Sequence, residues 1–397
     1  MSDDAAPEPQ QLFANFQYEI YGRGLAGETP NIPISVAALE ERAREVMTPE
    51  AYGYVAGGAG TEATVRANRD AFARWEIVPR MLRDVATRDL SVSVLGTSMP
   101  APIMLAPVGV QSIVHSEGEL AVARAAAALG LTSILSTAAS HTIEEVADAV
   151  GDGNRWYQLY WPRDRDLAAS FVGRAGEAGY AAIVVTLDTW MLGWRPRDLQ
   201  HGYLPFLKGE GVANYFSDPV FQAKLERSPE EDPGAAIGQW AYQFANPTVT
   251  WDDLAWLREQ TELPIVLKGI VHEDDARHAL DAGVDGLIVS NHGGRQVDGA
   301  IGALDALPAI RDVVGPDFPV LFDSGIRGGS DVLKALALGA DAVCVGRLFM
   351  WGLALDGQAG VEYVLRCLLG DFDLSLALSG YTEIAQVNAA ALRRRSG

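Results

Sequence analysis

Short apolar runs recur along this chain from about residue 100 onward. They occupy 102–106, 132–136, 156–160, 181–187, 264–268, 285–290, 318–323 and 341–345. Runs of this length that are apolar throughout, rather than alternating, fit strands buried on both faces of a parallel sheet. Amphipathic stretches of helix length, such as 117–129, 164–178, 272–282 and 330–338, lie between them. Strand–helix alternation eight times over predicts a (β/α)8 barrel. An open doubly wound sheet needs the same parallel strands and helical crossovers, so periodicity alone does not separate the two. Ahead of the repeat, Ser35 is positioned to cap a helix carrying Leu39, Ala43 and Val46 on one face, and Pro49 to Val55 predicts a second short helix. The expected organisation is an arm over 1–34, a barrel with a helical N-terminal extension over 35–397, and an insertion after the fourth strand over 189–250. That insertion is rich in Trp, Pro and Gly and carries a charged run from Glu226 to Asp232. In a barrel it would lie over the C-terminal face, as a lid.

Composition narrows the class. Of 397 residues, 48% are apolar, and 52 Asp and Glu against 31 Lys and Arg leave a net charge of -21. That balance excludes a disordered chain and opposes nucleic-acid binding or a polybasic membrane anchor. Two cysteines, Cys344 and Cys367, form no disulfide framework, so a reducing, cytoplasmic setting is expected. The start, MSDDAAPEPQQ, is acidic and polar and lacks the apolar stretch of a secretory signal. The stretch Leu120 to Ala139 contains Arg124 and Gly130 and predicts a helix followed by a strand, not a membrane span.

The chemistry of a barrel sits at the C-terminal ends of its strands. Those ends here are polar: Pro107-Val108-Gly109, Ser136-Thr137, Gln158 with Tyr160, Thr186-Leu187-Asp188, Lys268, Ser290 through Arg295, Asp323 through Gly329, and Gly346-Arg347. The last two segments combine glycines with Arg327 and Arg347 at the strands that commonly hold phosphate, which predicts a phosphate-bearing ligand. Lys268 at a barrel mouth serves as a Schiff-base nucleophile, stabilises negative charge on a cofactor, or pairs with an acid such as Asp188. His292 suits a proton acceptor, Asp188 its orienter, and Arg295 a carboxylate clamp. No metal-ligand spacing, dinucleotide fingerprint or G-x-S-x-G elbow is present in the sequence.

These residues together resemble a known family. Ser290-Asn-His-Gly-Gly-Arg-Gln296 is similar to the signature of the FMN-dependent 2-hydroxy acid oxidases and dehydrogenases. Tyr54-Val-Ala-Gly-Gly58, Gln158-Leu-Tyr160, Thr186-Leu-Asp188, Lys268-Gly269 and Asp323-Ser-Gly-Ile-Arg327 match in the same order. The resemblance implies FMN as cofactor and His292 as the base that removes the substrate hydroxyl proton, with Asp188 stabilising the imidazolium. Arg295 and Tyr54 would hold the substrate carboxylate. Tyr160 would contact the hydroxyl, and Arg195 would line the pocket. Lys268 would lie against flavin N1 and O2. Ser136, Gln158 and Thr186 would bond the ring edge, with Pro107 and Val108 near N5 and Ser290 beside them. Asp323, Gly325, Arg327, Gly346 and Arg347 would hold the ribityl phosphate. Gly193-Trp-Arg-Pro-Arg-Asp198 and Ser217-Asp-Pro-Val-Phe-Gln222 resemble the lactate monooxygenase branch, and Ala138 is small where glycolate-oxidising members carry Trp. The implied partners are a 2-hydroxy acid and O2, in a homotetramer or homo-octamer. A Schiff-base aldolase using Lys268 is the alternative class. It would leave His292, Arg295 and Tyr54 without a task.

Overall fold

In the computed structural model, which describes residues 12–395, the eight apolar runs form one closed ring of strands. They are β1 (Ile103–Leu105), β2 (Thr132–Ser136), β3 (Arg155–Leu159), β4 (Ile183–Thr186), β5 (Ile265–Ile270), β6 (Gly286–Val289), β7 (Val320–Phe322) and β8 (Ala342–Val345). Each pairs in parallel with its neighbours in sequence, and β8 pairs with β1 through Val343 opposite Ile103. Closure removes both sheet edges and decides for the barrel over the open sheet.

The strands are apolar throughout because both faces are buried. Leu105, Leu135, Leu159, Val185 and Leu267 face the surrounding helices, whereas Met104, Ile134, Trp156, Val184 and Val266 fill the interior. A hairpin of Val92–Val94 with Thr97–Met99 plugs the N-terminal end, and Trp156 inside the barrel donates its indole N–H to Thr97 at 2.9 Å. The helices Gly118–Ala128, Arg165–Glu177, Glu273–Asp281 and Gly329–Ala337 fall where the amphipathic stretches predict them.

The flanking parts are more ordered than the sequence suggests. Ser35 caps Val36–Val46 and Thr48 caps Pro49–Ala56. Within the expected arm, Phe16–Leu25 is a helix; residues 1–11 lie outside the described part of the chain. The arm is tied to the C-terminal helical segment Arg347–Leu378, which breaks at Asp356 and Gly357, by the amide of Ala14, which donates to buried Asp373 at 2.8 Å.

The 189–250 segment, expected as a long loop, is a folded cap. It holds the helical segments Pro196–Gln200, Pro205–Lys208, Ala213–Phe216, Pro219–Gln222 and Pro233–Phe244. Tyr215, Phe221 and Trp240 are buried within it, and Asn214 reaches back into the barrel, accepting from the Ile143 amide at 2.8 Å. Among the described residues no helix is long and apolar enough to cross a membrane.

Candidate active site

Strand geometry alone explains why the site is where it is. Side chains two residues apart on a strand point the same way. Ile134, Trp156, Val184, Val266, Ile288 and Leu321 form the apolar filling of the barrel. Two positions further on stand Ser136, Gln158, Thr186, Lys268, Ser290 and Asp323, all of them buried. The interior therefore changes from an apolar layer to a polar one at the level where the strands end.

Above that layer opens a cavity enclosing about 1050 Å³, its mouth included. Its walls hold Tyr54, Pro107, Val108, Tyr160, Arg195, Lys268, His292, Arg295, Asp323, Gly325, Arg327, Gly346 and Arg347. The remaining candidates surround it. Ser136 and Gln158 lie on adjacent strands beneath, while Thr186, Asp188 and Ser290 line a second cavity on the far side of Thr189, Tyr160 and Phe244.

His292 follows β6 in a left-handed backbone conformation, φ 57°. Its amide donates to Ser290 Oγ at 3.0 Å, and the hydroxyl of Ser324 accepts from the next amide, Gly293, at 2.9 Å. The ring nitrogen Nδ1 lies 2.7 Å from Asp188 Oδ1 and 3.0 Å from Thr189 Oγ1. A carboxylate there fixes the proton on Nδ1 and leaves Nε2 as the acceptor. Burial lowers the His292 pKa and outweighs the upward pull of Asp188, so the imidazole is neutral at pH 7 and able to accept a proton. Burial opposes ionisation of Asp188, but His292 and Lys268 together keep its carboxyl below the ordinary value.

Four guanidinium groups enter the same cavity with no carboxylate partner among the described residues. Arg295 donates to the carbonyl of Gly57 at 2.9 Å and also to that of Tyr54, and stands 5.0 Å from the Tyr54 ring centroid. Arg195 donates to the carbonyl of Arg295 at 3.0 Å and to Gln296 at 2.8 Å. Arg347 bonds the carbonyls of Val55, Gly57 and Gly293. The Arg327 guanidinium donates to the carbonyl of Ile326, its single hydrogen bond among the described residues. Burial first, then the neighbouring guanidinium of Arg195, lowers Arg295 to about 10; burial and Arg295 lower Arg347 to about 9. A buried cation is costly without a counter-charge. Arg295 and Arg347 meet at the Gly57 carbonyl, so the four form a row from Arg195 through Arg295 and Arg347 to Arg327 that can receive more than one anionic group.

Lys268 adds a fifth cation to the cavity wall. Its ammonium is 3.1 Å from Asp323 and donates to Ser290 at 3.0 Å. The sequence offered Asp188 as its ion-pair partner; the structure gives Asp323, just past the end of β7. Burial pulls the Lys268 pKa down, but Asp323 and Asp188 more than reverse this, and the ammonium stays charged. That pairing also turns Asp323 toward the ammonium.

These residues fit FMN. Gln158 accepts from Ser136 at 2.9 Å, yet its buried Nε2 has no partner, as a donor awaiting a ring acceptor would. Gly325, at φ 108°, and Gly346, at the start of the Arg347–Leu378 helix, put bare backbone beside Arg327 and Arg347, where a phosphate needs close approach.

Sequence reasoning missed several residues that hold this arrangement. Ser324, at φ 85°, joins Asp323 to the His292 loop. Gln296 donates to the carbonyls of Asp188 and Met191 and accepts from Arg195. Asn68 and Asn291 exchange amide bonds of 2.8 and 2.7 Å beneath the loop. Ser324, Asn291 and Gln296 all lie inside the recognisable motifs, but nothing in a motif says what an amide or hydroxyl will bond.

Comparison with known proteins agrees. The FMN-dependent dehydrogenase family profile matches residues 43–394. The chain is 47% identical over 392 residues to the FMN-dependent alpha-hydroxy acid dehydrogenase qulF of Penicillium citrinum, covering 98% of each. It is 44% identical over 375 residues to an L-lactate oxidase of Lysinibacillus sphaericus, covering 94% of this chain and 96% of that one. A crystal structure of mandelate oxidase superimposes with TM-score 0.81 at 41% identity, covering 92% of this chain and 99% of the other.

Proposed function

The chain belongs to the FMN-dependent dehydrogenase family, and from that premise we propose that it oxidises a short L-2-hydroxy acid, L-lactate foremost, with O2 as acceptor, to acetate, carbon dioxide and water. The chain is an FMN-dependent oxidoreductase acting on 2-hydroxy acids. A neutral base oriented by a carboxylate meets, in one cavity, two guanidiniums without a carboxylate partner among the described residues, which supports oxidation of a hydroxy acid; the packed aromatic wall of the cap supports retention of its product.

In this reading Arg295 and Arg195 hold the substrate carboxylate, with Tyr54 packed beneath the Arg295 guanidinium. That fixes the substrate by two oxygens and leaves its hydroxyl to Tyr160 and His292. The Tyr160 phenol, pushed up to about 12 mainly by burial, stays protonated and donates to the oxygen. His292 Nε2 takes the hydroxyl proton, and Asp188 stabilises the imidazolium that results. FMN, when bound, supplies the acceptor for the hydrogen and electron pair leaving the carbon. Ser136, Gln158 and Thr186 would hold its ring edge. Arg327, Arg347, Gly325 and Gly346 would hold its phosphate, and Lys268 would offset negative charge at the ring.

The cap determines the outcome. Leu192, Phe206 and Phe244 come from the 189–250 segment and line the same cavity as Ala138. Phe206 stacks on Trp240 at 4.7 Å and Trp240 lies 5.1 Å from Phe244, so this wall is a packed aromatic block, well suited to retain pyruvate. Retained pyruvate meets the peroxide formed when O2 is reduced, which adds to its keto carbon; the C1–C2 and O–O bonds then break to give acetate, carbon dioxide and water, whereas released pyruvate departs with hydrogen peroxide. Product analysis with L-lactate in air, with catalase present to remove free peroxide, tests this. Acetate and carbon dioxide without accumulated pyruvate are expected. Pyruvate matching the oxygen consumed would make the enzyme an oxidase with the same catalytic residues.

A further inference from the structure

The molecule has a second cavity beside the active site, and its chemistry is the opposite of the first. It encloses about 1620 Å³, mouth included, between the ends of β4, β5 and β6 and the end of the cap. Trp161, Trp251, Leu254, Val249 and Ile270 line its depth, and Trp190 and Val297 stand half or more exposed near its rim. Its only charged lining groups are the carboxylates of Asp188 and Asp275; it has no Lys or Arg. The active-site cavity, by contrast, is walled by Lys268 and four arginines. The two share Tyr160, Thr189 and Phe244, and the rings of Tyr160 and Phe244 lie 5.1 Å apart as the partition between them. The second cavity also reaches Thr186 and Ser290, the polar layer on which the cofactor ring would rest.

Charge thus sorts what can enter each side. An anionic hydroxy acid is drawn to the guanidiniums and repelled by a pocket whose only charges are carboxylates. A small uncharged apolar molecule has no such bias and partitions into an aromatic and aliphatic cavity, as benzene and xenon do in other proteins. The reaction proposed above needs one such molecule. We propose that this second cavity is the entry and holding site for dioxygen, which reaches the ring past Tyr160 and Phe244 while the hydroxy acid or its product still fills the first cavity. The inference rests on the reading that O2 is the acceptor. It gives the two reactants separate routes, so a tightly held keto acid does not block the oxidant.

Xenon is the probe. A crystal of the FMN-loaded enzyme pressurised with xenon should show the gas among Val249, Leu254 and Ile270, a readout independent of turnover. Two variants narrow the cavity from different walls, Val249→Trp and Ala300→Leu, neither of them in the catalytic set. Each should slow reoxidation of the reduced enzyme by O2 about tenfold while leaving the rate of anaerobic reduction by lactate as in the wild type. Reoxidation at the wild-type rate in both variants, or xenon bound elsewhere but not here, overturns the proposal. Wild-type enzyme that is reduced by lactate yet does not react with O2 would overturn it too. That result is distinct, because it removes the O2 reading itself and points to another acceptor.

Discussion

The two ends of the active-site cavity are built in different ways. The phosphate end belongs to the barrel: Gly325, Arg327, Gly346 and Arg347 lie on the two successive turns after β7 and β8. The substrate end is assembled from three segments outside the strands. Gly57 and Tyr54, after or within the helix Pro49–Ala56, receive Arg295; Arg195 comes from the cap; and Gly294 accepts the amide of Ala59 at 2.9 Å. Gly60 donates to Trp194 at 2.8 Å, and Asp298 accepts the amides of Thr61 and Ala63 at 2.6 and 2.7 Å. Each of the three segments is thereby bonded to another. The phosphate end is carried on barrel turns, with Arg347 braced on the carbonyls of Val55 and Gly57, whereas the substrate end draws most of its parts from segments outside the strands. Cofactor binding and substrate chemistry should accordingly be separable by mutation.

The largest separation comes from His292→Gln. This variant should keep its yellow cofactor and lose turnover by about a hundred- to ten-thousand-fold, the usual worth of a positioned base. Steady-state kinetics with the absorbance spectrum of the purified protein checks both halves. Near-normal turnover would place the base elsewhere, and loss of the cofactor would show that the two ends are not independent.

Arg327→Met probes the other end with a smaller effect. Arg327 is partly buried, its guanidinium has one carbonyl partner, and it has no contact with His292 or Arg295 among its hydrogen bonds. Removing a charge-assisted contact of about 1.5–3 kcal/mol should weaken FMN binding by about ten- to a hundred-fold. At saturating FMN, kcat and KM for the hydroxy acid should stay within about twofold of wild type. A titration of apoprotein by fluorescence quenching gives the first number. A collapse of kcat in the fully loaded variant would break the comparison.

The same division explains what the sequence makes legible. The eight strands are visible because residues such as Ile183–Thr186 and Ala342–Val345 are buried on both faces and so carry no polar interruption. Lys268, Ser290 and Asp323 are visible because each continues the interior alternation two residues past an apolar side chain. Their pairing is not, since Asp188 and Asp323 are both within reach of a lysine at the mouth, and only the closed barrel brings Asp323 to 3.1 Å. The cap is hardest to read. Its helices Ala213–Phe216 and Pro219–Gln222 are too short to show a period of 3.6. A signal was nonetheless there: Asp218 and Asp232 each precede a proline and each caps the helix that follows.

The smallest expected effect tests the base and its orienter through pH. The acid limb of kcat/KM reports the free enzyme's base. Burial depresses the His292 pKa below its ordinary 6.5, so the catalytic, unprotonated form persists as the pH falls through that value. The limb should therefore lie below pH 6.5. Asp188 pulls in the other direction, favouring the imidazolium across a 2.7 Å contact. Asp188→Asn removes that pull. The variant's plateau should fall, because the imidazolium loses its stabilising carboxylate, while its acid limb moves to still lower pH. A limb above 6.5 in the wild type would mean that Asp188 outweighs burial. A limb that moved to higher pH in Asp188→Asn would show that the titrating group is not a histidine held by this carboxylate.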